Sequence, residues 1–509
     1  MKKRIAVIYV LYFSILSQAI YAEVVLADGF GSRMVLQREV PARLTGYANE
    51  GEKIVVKLGE QTIAEFVAEG KAKPWSVILP IFKAGPIPNI TIEGSNKIVM
   101  SDLLAGDVWI CSGQSNMEMT VLNGPWCIYG GVLDAEHEVV NATYPEIRLL
   151  AAVKGGSWNR CLPETVGQFS ATAYFFGREL QRNLKVPIGL ISAAVGGTRA
   201  EYWIPRTAFE SQPHFSESLK EAEKVFGNLN PLWESDMRLQ AEWKKEVEEA
   251  KKTGKPSPPK RTNQMTQEQI DSWRDARAVV QAGLYYQAKI QGLTSQVIKG
   301  VIWYQGESNA GVKSNYEDLL NRLIVSWREG WRQGAFPFII MQLVNFGGNG
   351  TTFSQIRADQ QKVADTVENC HLATGIDVGD RGNIHPKNKQ EVGRRLALVA
   401  LKNVYGLDLV ASGPRVKSVK YENGKAILSL DPGGVGQVLV LKAVEKTGFE
   451  LIDREGKFFP ANVFIDESRL VLSSDQAGTP IGVRYAWTDS PEALLFNSAG
   501  LSAGPFWLQ

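Results

Sequence analysis

The chain is poor in the residues that most often build disulfide scaffolds and metal sites. Four cysteines (Cys111, Cys127, Cys161, Cys370) and four histidines (His137, His214, His371, His385) are spread through 509 residues. So few cysteines in so long a chain make no disulfide framework, and no pair has metal-ligand spacing. A single bridge, Cys127 with Cys161, fits an oxidising compartment; Cys111 and Cys370 sit in or beside apolar runs and read as buried thiols. No metal or cofactor is expected. A surplus of either charge is also missing: 56 basic against 54 acidic side chains leave a formal net charge of +2. That balance gives no reason to invoke nucleic acid or an acidic surface partner. Nothing beyond the first residues approaches a membrane-spanning run.

The N-terminus carries a secretory pattern. Lys2, Lys3 and Arg4 form a basic start, Ile5 to Leu16 an apolar core, and Ala22 a small residue suited to cleavage, so residues 1–22 read as a signal peptide. The expectation is a bacterial secreted or periplasmic protein without membrane association after cleavage. The length exceeds what one core usually supports, so several domains are expected. Residues 23–105 read as a β domain, with alternating runs such as Lys53 to Leu58 and Asn89 to Ile92 punctuated by glycine.

From Gly106 strands alternate with helices, which indicates an α/β unit with a largely parallel sheet over 106–410. Strands are expected at 147–150, 188–192, 297–304, 336–343 and 373–378, and helices at 171–184, 316–327, 355–366 and 389–402. Residues 208–275 break the rhythm with dense charge and scattered tryptophans, and read as a helical insertion bordering the pocket. Residues 411–509 return to short strands, a second β domain.

The chemistry collects at strand ends. The run Val108 to Cys111 ends in Ser112-Gly113, and Gln114-Ser115-Asn116 follows where a strand turns into the next element. Ser115 is the candidate nucleophile, because a strand end holds the hydroxyl in the crevice at the carboxyl edge of the sheet. A plain polar turn is the competing reading, and residues further along decide between them. A serine needs a base, and His385 falls between a strand end and a helix start on the same edge. His371 opens a strand, His137 sits among charges, and His214 begins the insertion.

The acid that would orient the imidazole is left open. Asp377 and Asp380 are close to His385 in sequence, whereas Glu307, in Trp303-Tyr304-Gln305-Gly306-Glu307-Ser308-Asn309, comes from another strand end. Asp380 is equally placed to bond loop amides, and Glu307 to cap a helix. For an oxyanion the amides of Ser115 and Gly197, with a side-chain amide from Gln305 or Asn309, make a plausible hole. Gln114 and Arg199 are candidates for substrate binding.

In this order, Gly113-Gln114-Ser115-Asn116-Met117, Gly196-Gly197-Thr198, the block from Trp303 to Asn309, and Ile384-His385-Pro386 resemble the sialate O-acetylesterase family of SGNH-like hydrolases. Val35-Leu36-Gln37-Arg38 and Asn497-Ser498-Ala499-Gly500-Leu501 extend the resemblance over nearly the whole mature chain. It implies a flavodoxin-like core flanked by N- and C-terminal β-sandwich-like domains, and metal-independent removal of acetyl groups from sugars. Carried over, the nucleophile falls on Ser115 and the base on His385. The wider SGNH pattern has aspartate three residues before the histidine, where this chain has Gly382. Related acetylesterases with the Gln-Gly-Glu block use its glutamate, which favours Glu307, with Asp380 behind it. A second departure is Leu284-Tyr285-Tyr286-Gln287-Ala288, where members commonly show Leu-Tyr-Asn; it bears on local pocket contacts.

The resemblance therefore implies a carbohydrate O-acetylesterase, acting on O-acetylated sialic acids or on an acetylated plant polysaccharide such as xylan. Arg199 is placed either to meet a sialic carboxylate or to pair with Glu201 or a neighbouring acid. Two rivals remain: a glycoside hydrolase using Glu307 with Asp377 or Asp380, and a carbohydrate-binding protein with an inactive core.

Overall fold

Leu103–Gly113 is an eleven-residue strand buried at every position. Among its residues only Asp107 is charged, and an apolar run without alternation suits a strand covered on both faces. In the computed structural model, which describes residues 23–509 except 71–72, 126, 154, 262–263, 313–314, 349 and 443–447, this strand is the middle of a seven-stranded ribbon. The order across the ribbon is 159–161, 144–151, 188–194, 103–113, 300–304, 338–341, 370–373. Every pairing is parallel except that of the edge strand Asn159–Cys161, so the sheet is mixed. The expected signal peptide lies outside the described residues.

Helices Ala171–Leu184 and Lys389–Asn403 pack against each other, as do Tyr316–Trp331 and Thr352–Thr366. Three of these four starts have a local cause: Ser170, Asn315 and Asn388 accept from the amides of Ala173, Asp318 and Glu391. The last strand differs from expectation, running Cys370–Ala373. Asp377 and Val378 lie in the turn that follows, which the Val378 amide closes on the Gly375 carbonyl at 3.1 Å.

The expected domain edge at 105/106 falls inside a strand. Leu103 to Gly106 pairs with Val35–Gln37 and Gly85–Ile87, while the rest of the same strand pairs inside the α/β sheet. One core therefore runs from the N-terminal sheets (25–26, 41–47, 75–81 and 53–58, 61–67, 90–93, 97–100) into the α/β unit. The C-terminal residues form two four-stranded sheets and a two-stranded pair around a separate core that includes Leu428, Leu451, Leu470 and Tyr485.

The insertion is helical, with Arg206–Glu210, the long Pro213–Thr253 and Gln267–Val280. Pro213 stands at the first turn of the long helix and Gly254, at φ +69°, ends it. Trp233 stacks on Trp273 with ring centroids 4.3 Å apart, joining the two long helices. All four cysteines are free and buried, so the Cys127–Cys161 bridge is absent. Cys161 closes the edge hairpin opposite Tyr144, whereas Cys127 closes a turn with Gly124. No helix among the described residues is long and apolar enough to cross a membrane.

Two glycines test this packing in opposite directions. A Cβ at Gly393 would lie 2.5 Å from Phe175 Cβ and 2.7 Å from the Phe176 backbone nitrogen, so Gly393→Ala must spread two packed helices. It should cost about 1–3 kcal/mol. At Gly227, inside the long helix, a Cβ meets open space. Gly227→Ala should stabilise that helix by about 0.5–1 kcal/mol. Urea-denaturation midpoints of the two variants should move to opposite sides of the wild type.

Candidate active site

Three neighbouring parallel strands end level with one another. Gly113 pairs with Ala194 on one side and Tyr304 on the other, and the residues just beyond these ends are Gln114-Ser115, Val195-Gly196-Gly197 and Gln305-Gly306-Glu307. Gln114, Ser115, Val195, Gly196, Gly197 and Glu307 among them wall a cleft of about 480 Å³, completed by Glu118, Tyr129, Ser308, Ile384 and His385. A cavity of about 780 Å³ lies between the insertion and Tyr316–Trp331, but no histidine lines it.

The turn that presents Ser115 is tight. Gly113 has φ +143°, and a Cβ there would lie 2.1 Å from the Tyr304 carbonyl oxygen, so only glycine allows the two strand ends to close up. The amide of Gln114 then donates to that carbonyl at 3.0 Å. The Gln114 side chain accepts from the amides of Gly306 (3.4 Å) and Ser308 (3.2 Å), stapling one wall to the other. Ser115 opens the single helical turn Ser115–Glu118, where its amide has no intrahelical partner.

Opposite stands His385. Its ring stacks on Tyr129, with centroids 4.3 Å apart and planes 16° from parallel. The Tyr129 hydroxyl donates to Glu118, and the same Glu118 oxygen accepts from the Gly196 amide at 2.8 Å. Burial, and then the hydrogen bond to Glu118, push the Tyr129 hydroxyl upward, so it stays a donor. Burial, and then the charge of Lys389, hold the His385 imidazole below its ordinary value. Neither Glu118 nor Tyr129 was singled out from the sequence. Glu118, three residues after Ser115 on the same turn, was readable as a neighbour; Tyr129 comes from an irregular loop with no pattern.

Glu307 is partly buried in the cleft wall. Its Oε1 accepts from Asn116 Nδ2 at 2.6 Å, while its Oε2 is buried and has no partner. Burial raises its carboxyl above the ordinary range, against the Asn116 bond and the charge of Lys389.

Ser115, Gly197, Glu307 and His385 are thus brought together, with Gln114 beside them. The other candidates lie elsewhere. Asp380 turns back on its own loop and accepts from the Gly382 amide at 2.8 Å. Asp377 is held by both nitrogens of a forked Arg395 contact (2.6 and 2.7 Å) and by Ser502 Oγ. Gln305 and Asn309 are buried behind the wall: Gln305 Nε2 donates to the Thr198 carbonyl and to Asn309 Oδ1, and Asn309 Nδ2 donates to Glu201. With those amides engaged, no side-chain amide from this pair faces the cleft. Arg199 is paired with Asp275 of the insertion at 2.6 Å and does not line the cleft. No lining residue comes from 208–275; the insertion packs on itself through Trp233 and Trp273, and its Asp275 pairs with Arg199 outside the cleft.

A family model described as carbohydrate esterase, sialic acid-specific acetylesterase, matches residues 105–234 and 265–402. The chain belongs to this family. The unmatched residues 235–264 include the second half of the long insertion helix. The chain is 29% identical to the sialate O-acetylesterase of Rattus norvegicus, over 93% of this chain and 92% of the relative. It is 30% identical to that of Pongo abelii, over 94% and 91%. A solved carbohydrate acetylesterase from Xanthomonas citri superposes with a TM-score of 0.77 at 27% identity, over 96% of this chain and all of that one. The protein is a carbohydrate O-acetylesterase, a carboxylic ester hydrolase. That assignment displaces both the glycosidase and the inactive binding protein.

Gly196 gives a local test of the cleft. A Cβ there would lie 2.6 Å from the Tyr129 hydroxyl and 2.9 Å from Glu118 Oε2. Gly196→Ala must therefore push apart the pair that backs His385. Acetate release should fall about tenfold or more, the scale of a small misplacement of reacting groups, with the thermal midpoint little changed.

Proposed function

We propose that this protein removes O-acetyl groups from sialic acids, with Ser115 as nucleophile, His385 as base, Glu307 as the orienting acid and the Ser115 and Gly197 amides as oxyanion donors. The observation that carries the reading is the convergence of these four residues in one cleft at the ends of three adjacent parallel strands. Ligands of open α/β sheets bind at such carboxyl edges. The unpartnered Glu307 Oε2 in the wall shared with His385 supports Glu307 as the acid, and the prior engagement of Asp377 and Asp380 argues in the same direction.

In this mechanism Ser115 Oγ attacks the acetyl carbonyl as His385 takes its proton. Negative charge develops on the former carbonyl oxygen, where the two backbone amides meet it. The sugar oxygen leaves with the proton from His385. A water, deprotonated by His385, then attacks the acetyl-serine, and acetate is released as the Ser115 oxygen takes that proton back from His385. The core is read as an SGNH-type hydrolase and the protein as secreted or periplasmic, on the basis of the sequence blocks and the N-terminal pattern.

Sialate as substrate rests on the names of the mammalian relatives, and Arg199, ion-paired with Asp275, adds nothing to it. Wild type and Ser115→Ala should be assayed in parallel on O-acetylated sialic acid and on acetylated xylan oligosaccharides. Acetate is expected from the sialic acid, falling at least about 1,000-fold in the variant. Release from xylan alone would replace the substrate, and release that survives Ser115→Ala would overturn the nucleophile.

The pH profile follows from the depressed imidazole. Only neutral His385 acts as a base, and its protonated form appears only below its lowered pKa. The acid limb of kcat/KM, which reports the free enzyme, should therefore have its midpoint below the ordinary histidine value of about 6.5.

A further inference from the structure

Asn116, directly after Ser115, links three walls of the cleft. Its Nδ2 donates to Glu307 Oε1 at 2.6 Å and to the Ile384 carbonyl at 2.9 Å, and its Oδ1 accepts from Lys389 Nζ at 2.7 Å. A carbonyl only accepts, so Ile384 fixes which end of the amide is nitrogen and leaves Oδ1 facing the lysine. Lys389 Nζ donates in addition to the Pro386 carbonyl at 2.8 Å. The carbonyls on both sides of His385 are therefore gripped, one by Asn116 and one by Lys389. The His385 amide itself donates to Asn383 Oδ1 at 2.9 Å.

Lys389 is fully buried at the first position of the helix Lys389–Asn403, and its nearest counter-charge, Glu307, lies across the Asn116 amide. A helix needs no lysine there, and burying an ammonium without a direct carboxylate partner costs stability that an apolar side chain would spare. Its burial there calls for a functional account.

We propose that Lys389 is a positioning residue for the ester hydrolysis, which through Asn116 and the Pro386 carbonyl locks His385 and Glu307 against the Ser115 turn and keeps a positive charge beside the imidazole. The proposal rests on the assignment of Ser115, His385 and Glu307 above. Burial pulls the Lys389 ammonium down to about 7, against the pull of Glu307, so it is the softest charge near the site. The other groups around His385 are Glu307 in the shared wall, Tyr129 stacked on the ring and Glu118 bonded to Tyr129; Arg381 and Lys387 on its own loop are exposed.

The test compares wild type, Lys389→Met and Lys389→Arg, each in full-length mature form. Lys389→Met should lower kcat about 100-fold with KM within about twofold, since the groups that shift act on the reacting atoms rather than on the bound sugar. NMR titration of isotopically labelled histidine follows His385 among only four histidines. Its midpoint should rise in Lys389→Met and stay low in Lys389→Arg, which keeps the charge. A folded Lys389→Met with unchanged kcat, or with an unmoved His385 midpoint, overturns the proposal. If Lys389→Met does not fold, Lys389→Gln, which keeps a donor without the charge, takes its place: its His385 midpoint should rise, and an unmoved midpoint overturns the proposal. Ser115→Ala separates the two layers: full activity in that variant would sink the site assignment, whereas the His385 midpoints report on Lys389 alone.

Discussion

Backbone pairing along Leu103–Gly113 is the constraint on which the other features depend. Every residue of this strand is buried, so each amide and carbonyl must find a protein partner. At its start the partners are Val35–Gln37 and Gly85–Ile87; further on they are Ile188–Ala194 and Gly300–Tyr304. The junction is pinned by side chains as well: Asp107 accepts from Arg38 Nε and Nη2 and from Gln37 Nε2, all within 3.1 Å. The N-terminal β segment is thus built into the register of the strand that delivers Ser115. Moving that register by one residue would turn every side chain over and take the serine from the cleft.

Behind the cleft a second set of polar groups holds two walls at a fixed spacing. Gln305 joins the Thr198 carbonyl to Asn309 and accepts from the Tyr316 hydroxyl at 3.0 Å, while Asn309 accepts from the Ala200 amide and donates to Glu201. Gln360 adds a bond to the Gln305 carbonyl at 3.0 Å. These groups are buried and mutually satisfied, a condition that makes such a network rigid and specific. Its consequence is local: the loop after Ala194 is tied to the loop after Tyr304, and Gly197 is held between them. The Gln305 and Asn309 amides therefore act on the site as braces.

The α/β core was legible because its signals are local. Alternating apolar runs and helical spacing place Ala171–Leu184 to the residue and most other elements within a few residues. Ser115, Gly197, Glu307 and His385 were legible because each follows a strand end, and parallel strands deliver their ends to one edge. What escaped is what depends on side-chain pairing across the fold. Whether Asp380 or Glu307 faces the cleft is decided by hydrogen bonds to Gly382 and Asn116, and neither spacing nor composition records them. Arg199 finds Asp275 only because the insertion folds back on the core, and Tyr129 reaches His385 from an irregular loop. The edge expected at 105/106, where short strands give way to strands alternating with helices, falls inside Leu103–Gly113, since one strand serves both sheets.

Gly382 has a structural consequence for the proposed triad. Where the acid stands on the histidine's own loop, three residues away, one short segment sets both the position of the base and that of its partner. Here the proposed acid, Glu307, follows the end of another strand, so the proposed acid and base are related only through tertiary contacts. A loop left to itself would not hold an imidazole to the tolerance that general-base catalysis requires. The contacts that supply the missing restraint are on view: Asn116 and Lys389 hold the two carbonyls flanking His385, Tyr129 covers one face of its ring, and Glu118 fixes Tyr129 to the glycine turn. With Glu307 as the proposed acid, off the histidine's loop, the work of positioning falls to the polar residues around His385.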